Sequence, residues 1–170
     1  MTRHVPARHL GSTAAAAALL AAMLGLGHAA VSAYWASGGT WLLDTIGGEL
    51  ESWGRERRPG VVIALWLIAV LKAGVAVAAP VLVLGPGRSP DWTTGRAARA
   101  LSWIAAVVLT GYGGVLTAAG LLVQGGAVEA AADADQRALA WHAYLWDPWF
   151  FGWGLAFLTC LWLTRPGRAR

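Results

Sequence analysis

The residue with the most unusual setting in the sequence is Lys72, which lies near the middle of an apolar run at 61–84. A charged side chain at the centre of a lipid bilayer costs from about 3 to more than about 10 kcal/mol, depending on the scale used. A lysine at that depth must pair with another group, line a wet cavity, lose its proton or extend to the surface. Lys72 is therefore a candidate ligand or proton site. The alternative is a structural contact with Thr110, Tyr112 or a backbone carbonyl.

The second candidate is His28, in the last third of an apolar run at 13–34. An imidazole there could exchange a proton, hydrogen-bond a ligand or ligate haem, and the alternative is a histidine bonded across packed helices. A haem held by His28 and His142 together is conceivable from their expected positions, but no other feature supports it. No cofactor is therefore predicted.

Aromatic residues concentrate in two segments, at 34–53 and 141–153, and polar groups lie among them. Membrane proteins commonly carry a belt of tryptophan and tyrosine at the headgroup level, which is one explanation. Polar groups among aromatic rings are also typical of a ligand pocket. The second explanation gives a candidate ligand-binding set of Lys72, His28, Trp35, Trp41, Asp44, His142, Trp146 and Asp147.

A membrane enzyme is a third reading, because Asp44, Asp147, His28 and His142 could supply acid and base groups. The sequence contains no serine nucleophile motif, phosphate-binding loop, Rossmann fingerprint or His-Glu-x-x-His metal motif. No catalytic residue and no metal ligand is therefore predicted. The single cysteine, Cys160, excludes an intramolecular disulfide and a cysteine-based metal site.

Four apolar runs must position these residues, and they predict helices at about 13–34, 61–84, 101–123 and 147–164. A helix crosses a hydrocarbon core of about 30 Å with about 20 residues. The fourth run is short, but residues 144–147 can extend it into the interface. Asp147-Pro148 predicts the N-cap and first turn of that helix, and Gly125-Gly126 predicts the end of the third.

The composition excludes an ordinary soluble domain. The chain is 57% hydrophobic and 13% charged, whereas a soluble domain carries roughly 25% charged residues. Small residues recur every four positions in the first, third and fourth runs, a spacing that lets membrane helices approach closely. These stripes are Ala17, Ala21, Gly25, Ala29 and Ala33; Ser102, Ala106, Thr110, Gly114 and Ala118; and Gly152, Ala156, Cys160 and Thr164. The predicted fold is an all-α membrane protein in which residues 1–170 form a single four-transmembrane-helix bundle.

The arginines predict how the bundle is oriented. Positive residues favour the cytoplasmic side of a membrane, and most of the arginines lie in the two tails and the second loop, at Arg3, Arg8, Arg88, Arg96, Arg99, Arg165, Arg168 and Arg170. The N and C termini are therefore predicted to be cytoplasmic, with the first and third loops outside. Arg55, Arg57 and Arg58 in the first loop oppose this orientation, although nearby glutamates partly offset them. The net charge of +4 is explained by this pattern, so no nucleic-acid partner is predicted.

The first apolar run has a second interpretation as a secretory signal. Arg3 and Arg8, an apolar core and then Val31-Ser32-Ala33 resemble a signal peptide with a small-residue cleavage site. The run is long for a signal, and Tyr34-Trp35 at its end is typical of an interface anchor. An uncleaved first helix is therefore favoured.

Two segments resemble a family of bacterial four-helix membrane proteins that is defined only as a domain of unknown function. His28, Tyr34-Trp35-Ala36-Ser37-Gly38-Gly39-Thr40-Trp41 and Asp44-Thr45 resemble its first-helix signature. Leu145-Trp146-Asp147-Pro148-Trp149-Phe150, with Gly152 and Gly154, resembles its last-helix signature. The resemblance covers nearly the whole chain. It implies a multi-pass protein of the bacterial plasma membrane with cytoplasmic ends, whose two motifs belong to one site, and it implies no activity.

These observations leave two main functional hypotheses. In the first, the protein binds, senses or transports a small molecule or lipid at an outward-facing site between the aromatic segments and Lys72. In the second, it is a non-catalytic interaction or scaffold subunit with a membrane-protein partner, which the short loops and small-residue stripes also fit.

Overall fold

The computed structural model describes residues 8–84 and 95–165. The predictions that rest on Arg3, Arg88, Arg168 and Arg170, and on the side chain of Arg8, lie outside what it describes. Across the described residues the chain is helical without strands, which confirms the all-α prediction. The helices are α1 (Arg8–Ala36), α2 (Gly48–Arg55), α3 (Pro59–Leu84), α4 (Arg96–Gln124), α5 (Gln136–Trp141) and α6 (Asp147–Leu163).

Three of these helices have the length and composition of membrane spans. They cover Gly11–Ala36, Pro59–Val83 and Arg96–Gln124. Their outward faces carry large apolar side chains, such as Met23, Leu71 and Val115, that are about two-thirds exposed. Exposing so much contiguous apolar surface is unfavourable in water, whereas it is favourable in a lipid environment. The helices therefore indicate a membrane protein.

The start of the last helix differs from the prediction. The prediction that Asp147 is an N-cap is wrong, because the chain is already helical from Gln136. Asp135 is the N-cap there, and its carboxylate accepts hydrogen bonds of 3.0 Å from two backbone N–H groups. A π-helical turn, His142–Trp146, joins α5 to α6. Pro148 cannot donate to the preceding turn, and the wider π turn accommodates that missing hydrogen bond.

The helices pack as two pairs joined at the centre. α1 lies along α3, α4 lies along α6, and α1 and α6 join the pairs. Small residues permit the close contacts, but the glycines closest to a neighbouring backbone, Gly113 and Gly154, lie outside the predicted stripes. A Cβ atom at Gly113 would overlap the backbone of Phe151, and one at Gly154 would overlap the backbone of Thr110. By contrast, α3 and α4 contact each other little.

Candidate functional site

The two strongest polar candidates, Lys72 and His28, are in direct contact. Lys72 Nζ lies 3.0 Å from His28 Nδ1 and donates a hydrogen bond of 2.9 Å to Ser32 Oγ. Ser32 is one turn after His28 on α1, so both partners lie on the same helix face. The alternative partners considered for Lys72 have other contacts: the Thr110 hydroxyl donates to the carbonyl of its own helix, and the Tyr112 ring packs against an aromatic ring of α6.

The tautomer of His28 follows from the protonation state of Lys72. With Lys72 as an ammonium group, which has three donors and no acceptor, Nδ1 of His28 accepts and the ring proton is on Nε2. In the described part of the chain, Nε2 is buried without a hydrogen-bond partner, and His28 as a whole is only 4% exposed. A buried donor left unpaired costs about 1–3 kcal/mol. An oxygen acceptor placed against Nε2 would remove that cost.

Three aromatic rings surround the pair. The ring centroids of Phe150, Trp149 and Trp146 lie 4.2, 5.2 and 5.8 Å from that of His28. Lys72 Nζ lies 5.4 Å from the Phe150 centroid, within the range of a cation–π contact. The spacing of three and four residues puts these rings on one face of the last helix. The site therefore combines hydrogen-bond donors with flat apolar walls.

Trp35 and Trp146 lie at the outer edge of this site. Their ring centroids are 5.6 Å apart, edge to face. Each indole N–H is satisfied by the first loop: Trp35 donates to the carbonyl of Trp41 over 2.9 Å, and Trp146 donates to Thr45 Oγ1 over 3.0 Å. The ring of Trp41 is 67% exposed. Trp41 thus contributes its backbone to the site, and its side chain lies outside it.

The remaining predicted residues form two polar contacts above the site. Asp44 pairs with Arg137 at 2.8 Å and ties the first loop to α5. His142 Nδ1 lies 3.3 Å from the buried carboxylate of Asp147. That hydrogen bond raises the pKa of His142, which lies before the apolar run of α6, above its ordinary value of 6.5. His28 and His142 consequently have different partners. The described residues contain no group of three metal-ligating side chains.

Sequence reasoning missed Ser32 and left Trp149 and Phe150 outside the candidate set. Ser32 figured there only as part of a potential cleavage site. Its place four residues after His28 was the available signal, because that spacing stacks two side chains on a helix. Trp149 and Phe150 follow Trp146 by three and four residues, which is the same signal.

Comparison with known proteins identifies a family that is described as having unknown function. The family model described as "Protein of unknown function (DUF3995)" matches residues 25–157. The matched region includes both members of the Lys72–His28 pair and all three surrounding rings. No curated protein and no solved structure matches. The chain belongs to the DUF3995 family.

Proposed function

We propose that this DUF3995 protein binds a small molecule or lipid at the Lys72–His28 site and thereby serves in sensing or transport across a bacterial plasma membrane. The observation that carries the proposal is the unpaired Nε2 donor of buried His28, held in place by Lys72 and enclosed by aromatic rings. A purely structural lysine–histidine contact does not explain why the second ring nitrogen is buried without a partner. A bound acceptor would make the arrangement favourable.

The surroundings define the chemistry of the ligand. It needs an oxygen that can accept a hydrogen bond from His28 Nε2, because the ammonium of Lys72 already occupies Nδ1. It also needs a flat or apolar body that can pack against Trp149 and Phe150. A carbonyl or an anionic oxygen on an apolar skeleton meets both requirements.

The proposal includes a topology of four crossings, with residues 1–170 as one domain and both ends cytoplasmic. α6 has 17 residues, about 25 Å of helix at 1.5 Å per residue, and the π turn lengthens it towards the outer edge. Acidic groups of the first and third loops, such as Asp44 and Glu129, lie near the opposite helix ends from Arg99 and Arg165. The positive-inside rule supports the same orientation.

Native mass spectrometry of protein released gently from its membrane tests the proposed binding. The wild type should carry a reproducible extra mass that is absent from Lys72→Ala and retained in Leu67→Ala. Leu67 is a matched control because it lies on the same helix and is 65% exposed. The polypeptide mass also reports whether the first helix, which supplies His28 and Ser32, remains attached. A wild type that carries only unselective lipids, or a Lys72→Ala variant that keeps the extra mass, contradicts the proposal.

One observation favours the scaffold alternative. α4 exposes an apolar stripe at Leu101, Ile104, Val108 and Val115, each 60% exposed or more, at spacings that line one side of a helix. Such a stripe could pack against another membrane protein. Stable co-purification with one partner, together with a bare polypeptide mass, would favour this function over ligand binding.

A further inference from the structure

A groove separates α3 from α4 on the side of the bundle where these two helices contact each other little. Its volume is about 570 Å³, within the range of about 300–1,000 Å³ that is usual for ligand sites. Apart from Ser102, the walls are apolar residues of the two helices, and Phe157 of α6 also lines the groove. Gly74 lies in the α3 wall, and a Cβ atom built there meets nothing within 4 Å.

The length of the groove distinguishes between possible occupants. On α3 the lining runs from Val70 to Val81, which is roughly 16 Å at 1.5 Å per residue. On α4 it covers only the first part of the helix, from Ala98 to Ala105. The groove therefore spans about half of a hydrocarbon core of about 30 Å. A partner helix would need the full thickness, whereas a lipid chain occupies one leaflet.

The groove ends at the positive end of the molecule. Arg96 and Arg99 lie in the first turn of α4, and Arg165 follows α6 close by, stacked on Trp103 at 4.6 Å. Arg99 donates hydrogen bonds to the carbonyl and the hydroxyl of Thr164. These bonds use only part of the five N–H donors of the Arg99 guanidinium. The N-cap of α4 is Gly95, which has no side chain to accept a hydrogen bond from the backbone N–H groups of that first turn. Among the described residues of this end there is no acidic side chain.

We propose that the groove binds one acyl chain of an anionic phospholipid whose phosphate is held by the first turn of α4. The apolar walls receive the chain. Arg96 and Arg99 bind the headgroup, because clustered arginines favour a phosphate. This site is separate from the Lys72–His28 site, which lies between α1, α3 and α6.

Competition between two lipids tests the proposal. Protein in detergent is given equal amounts of phosphatidylglycerol and phosphatidylcholine with the same acyl chains, and native mass spectrometry counts the bound molecules of each. The wild type should prefer phosphatidylglycerol. Arg96→Gln/Arg99→Gln should lower that preference by about 30-fold, since each arginine near an anionic surface contributes about fivefold. The control Arg55→Gln/Arg58→Gln removes the same charge from the opposite end and should keep the preference.

A second variant tests the groove without changing charge. Gly74→Leu should fill the empty space and abolish binding of the first phosphatidylglycerol molecule. Gly111→Leu is the matched control, because a Cβ there also meets nothing within 4 Å and the residue lies outside the groove. Equal binding by both glycine variants would overturn the proposal. So would an unchanged lipid preference in the double arginine variant, or a protein dimer that Gly74→Leu dissociates, which would assign the groove to a second copy of the chain.

Discussion

Lys72 and His28 hydrogen-bond to each other between apolar helices, where either side chain alone would be destabilising. The Lys72 ammonium finds two acceptors on α1, and the Nδ1 lone pair of His28 finds a donor. Removing one partner leaves a polar atom without a hydrogen bond, whereas replacing both with apolar groups of similar shape can be nearly neutral.

A double-mutant cycle measures this mutual dependence. Lys72→Met should lower the free energy of unfolding in detergent by about 1–3 kcal/mol, because Nδ1 of His28 loses its donor. Adding His28→Leu should recover part of that loss, with a coupling energy of about 0.5–3 kcal/mol. Thermal or denaturant unfolding of the four proteins provides the values. Strictly additive effects would mean that the contact between the two side chains contributes nothing.

The contact between His142 and Asp147 predicts a dependence of stability on pH. Because the pKa of His142 is higher in the folded protein than its ordinary 6.5, the contact stabilises fully below that ordinary pKa. The stabilisation is lost as pH rises through the folded pKa. Unfolding of the wild type and of His142→Gln is compared between about pH 5 and pH 8. The stability advantage of the wild type over the variant should shrink as the pH is raised. An identical pH profile for the variant would contradict the assignment.

The sequence identifies the unusual buried polar residues better than it identifies their contacts. Lys72 and His28 stand out because polar residues are costly inside apolar runs, and this signal is local. Their contact depends on the axial register in which α1 packs along α3. The first loop between these helices is long enough to allow several registers, so that contact could not be predicted. The spacing of Ser32 from His28 puts both side chains on one face of α1, but the contact of Ser32 with Lys72 appears only when α3 lies against that face.

At the scale of the elements, the start of the last helix could not be predicted from the local sequence. Asp147-Pro148 has the residue types of a helix start, yet the chain passes through it as helix. The true N-cap is Asp135, twelve residues earlier in the chain. Asp135 and Asp147 both have the residue type of an N-cap, and tertiary packing determines which of them takes that position. By contrast, Gly125-Gly126 ends α4 as predicted, because Gly126 takes a φ of 73° that favours glycine.

Glycine substitutions test the packing of α4 on α6. Gly113→Ala should destabilise the protein by about 1–3 kcal/mol, since its Cβ would meet backbone atoms of α6 that cannot move aside. Gly111→Ala, two residues earlier on the same helix, has open space around the new methyl group. It should be neutral or stabilising by up to about 1 kcal/mol through helix propensity. Unfolding in detergent compares the two, and equal stability would refute the close approach.

At the scale of the whole molecule, composition predicts an all-helical protein with helices apolar enough for a membrane, and this part of the prediction is confirmed. The apolar runs match α1, α3 and α4 with helix ends a few residues beyond the predicted bounds, because hydrophobic length is a strong signal. Composition carries no information about which helices become neighbours. The pairing of α1 with α3 and of α4 with α6, and the groove that follows from it, arise from packing details such as Gly113 and Gly154.

Thiol labelling tests the proposed orientation. In a Cys160→Ser background, single cysteines replace the exposed residues Glu49, Ala97 and Ala131. A membrane-impermeant reagent applied to intact cells should label the cysteines at 49 and 131, and should label the one at 97 only after permeabilisation. A C-terminal tag should behave like position 97 if α6 completes a fourth crossing. A tag accessible from outside would contradict four crossings.

Nuclear magnetic resonance of the histidine rings tests the Lys72–His28 ligand site most directly. The ¹⁵N spectrum of histidine-labelled protein is recorded as purified and after detergent exchange has removed the bound molecule, and His28→Asn assigns the signal. His28 should carry its proton on Nε2, and that nitrogen should shift on removal of the molecule and return when the extract is added back. His142 serves as an internal control and should stay constant. A His28 signal with the proton on Nδ1, or one that is unchanged by removal of the molecule, would contradict the site.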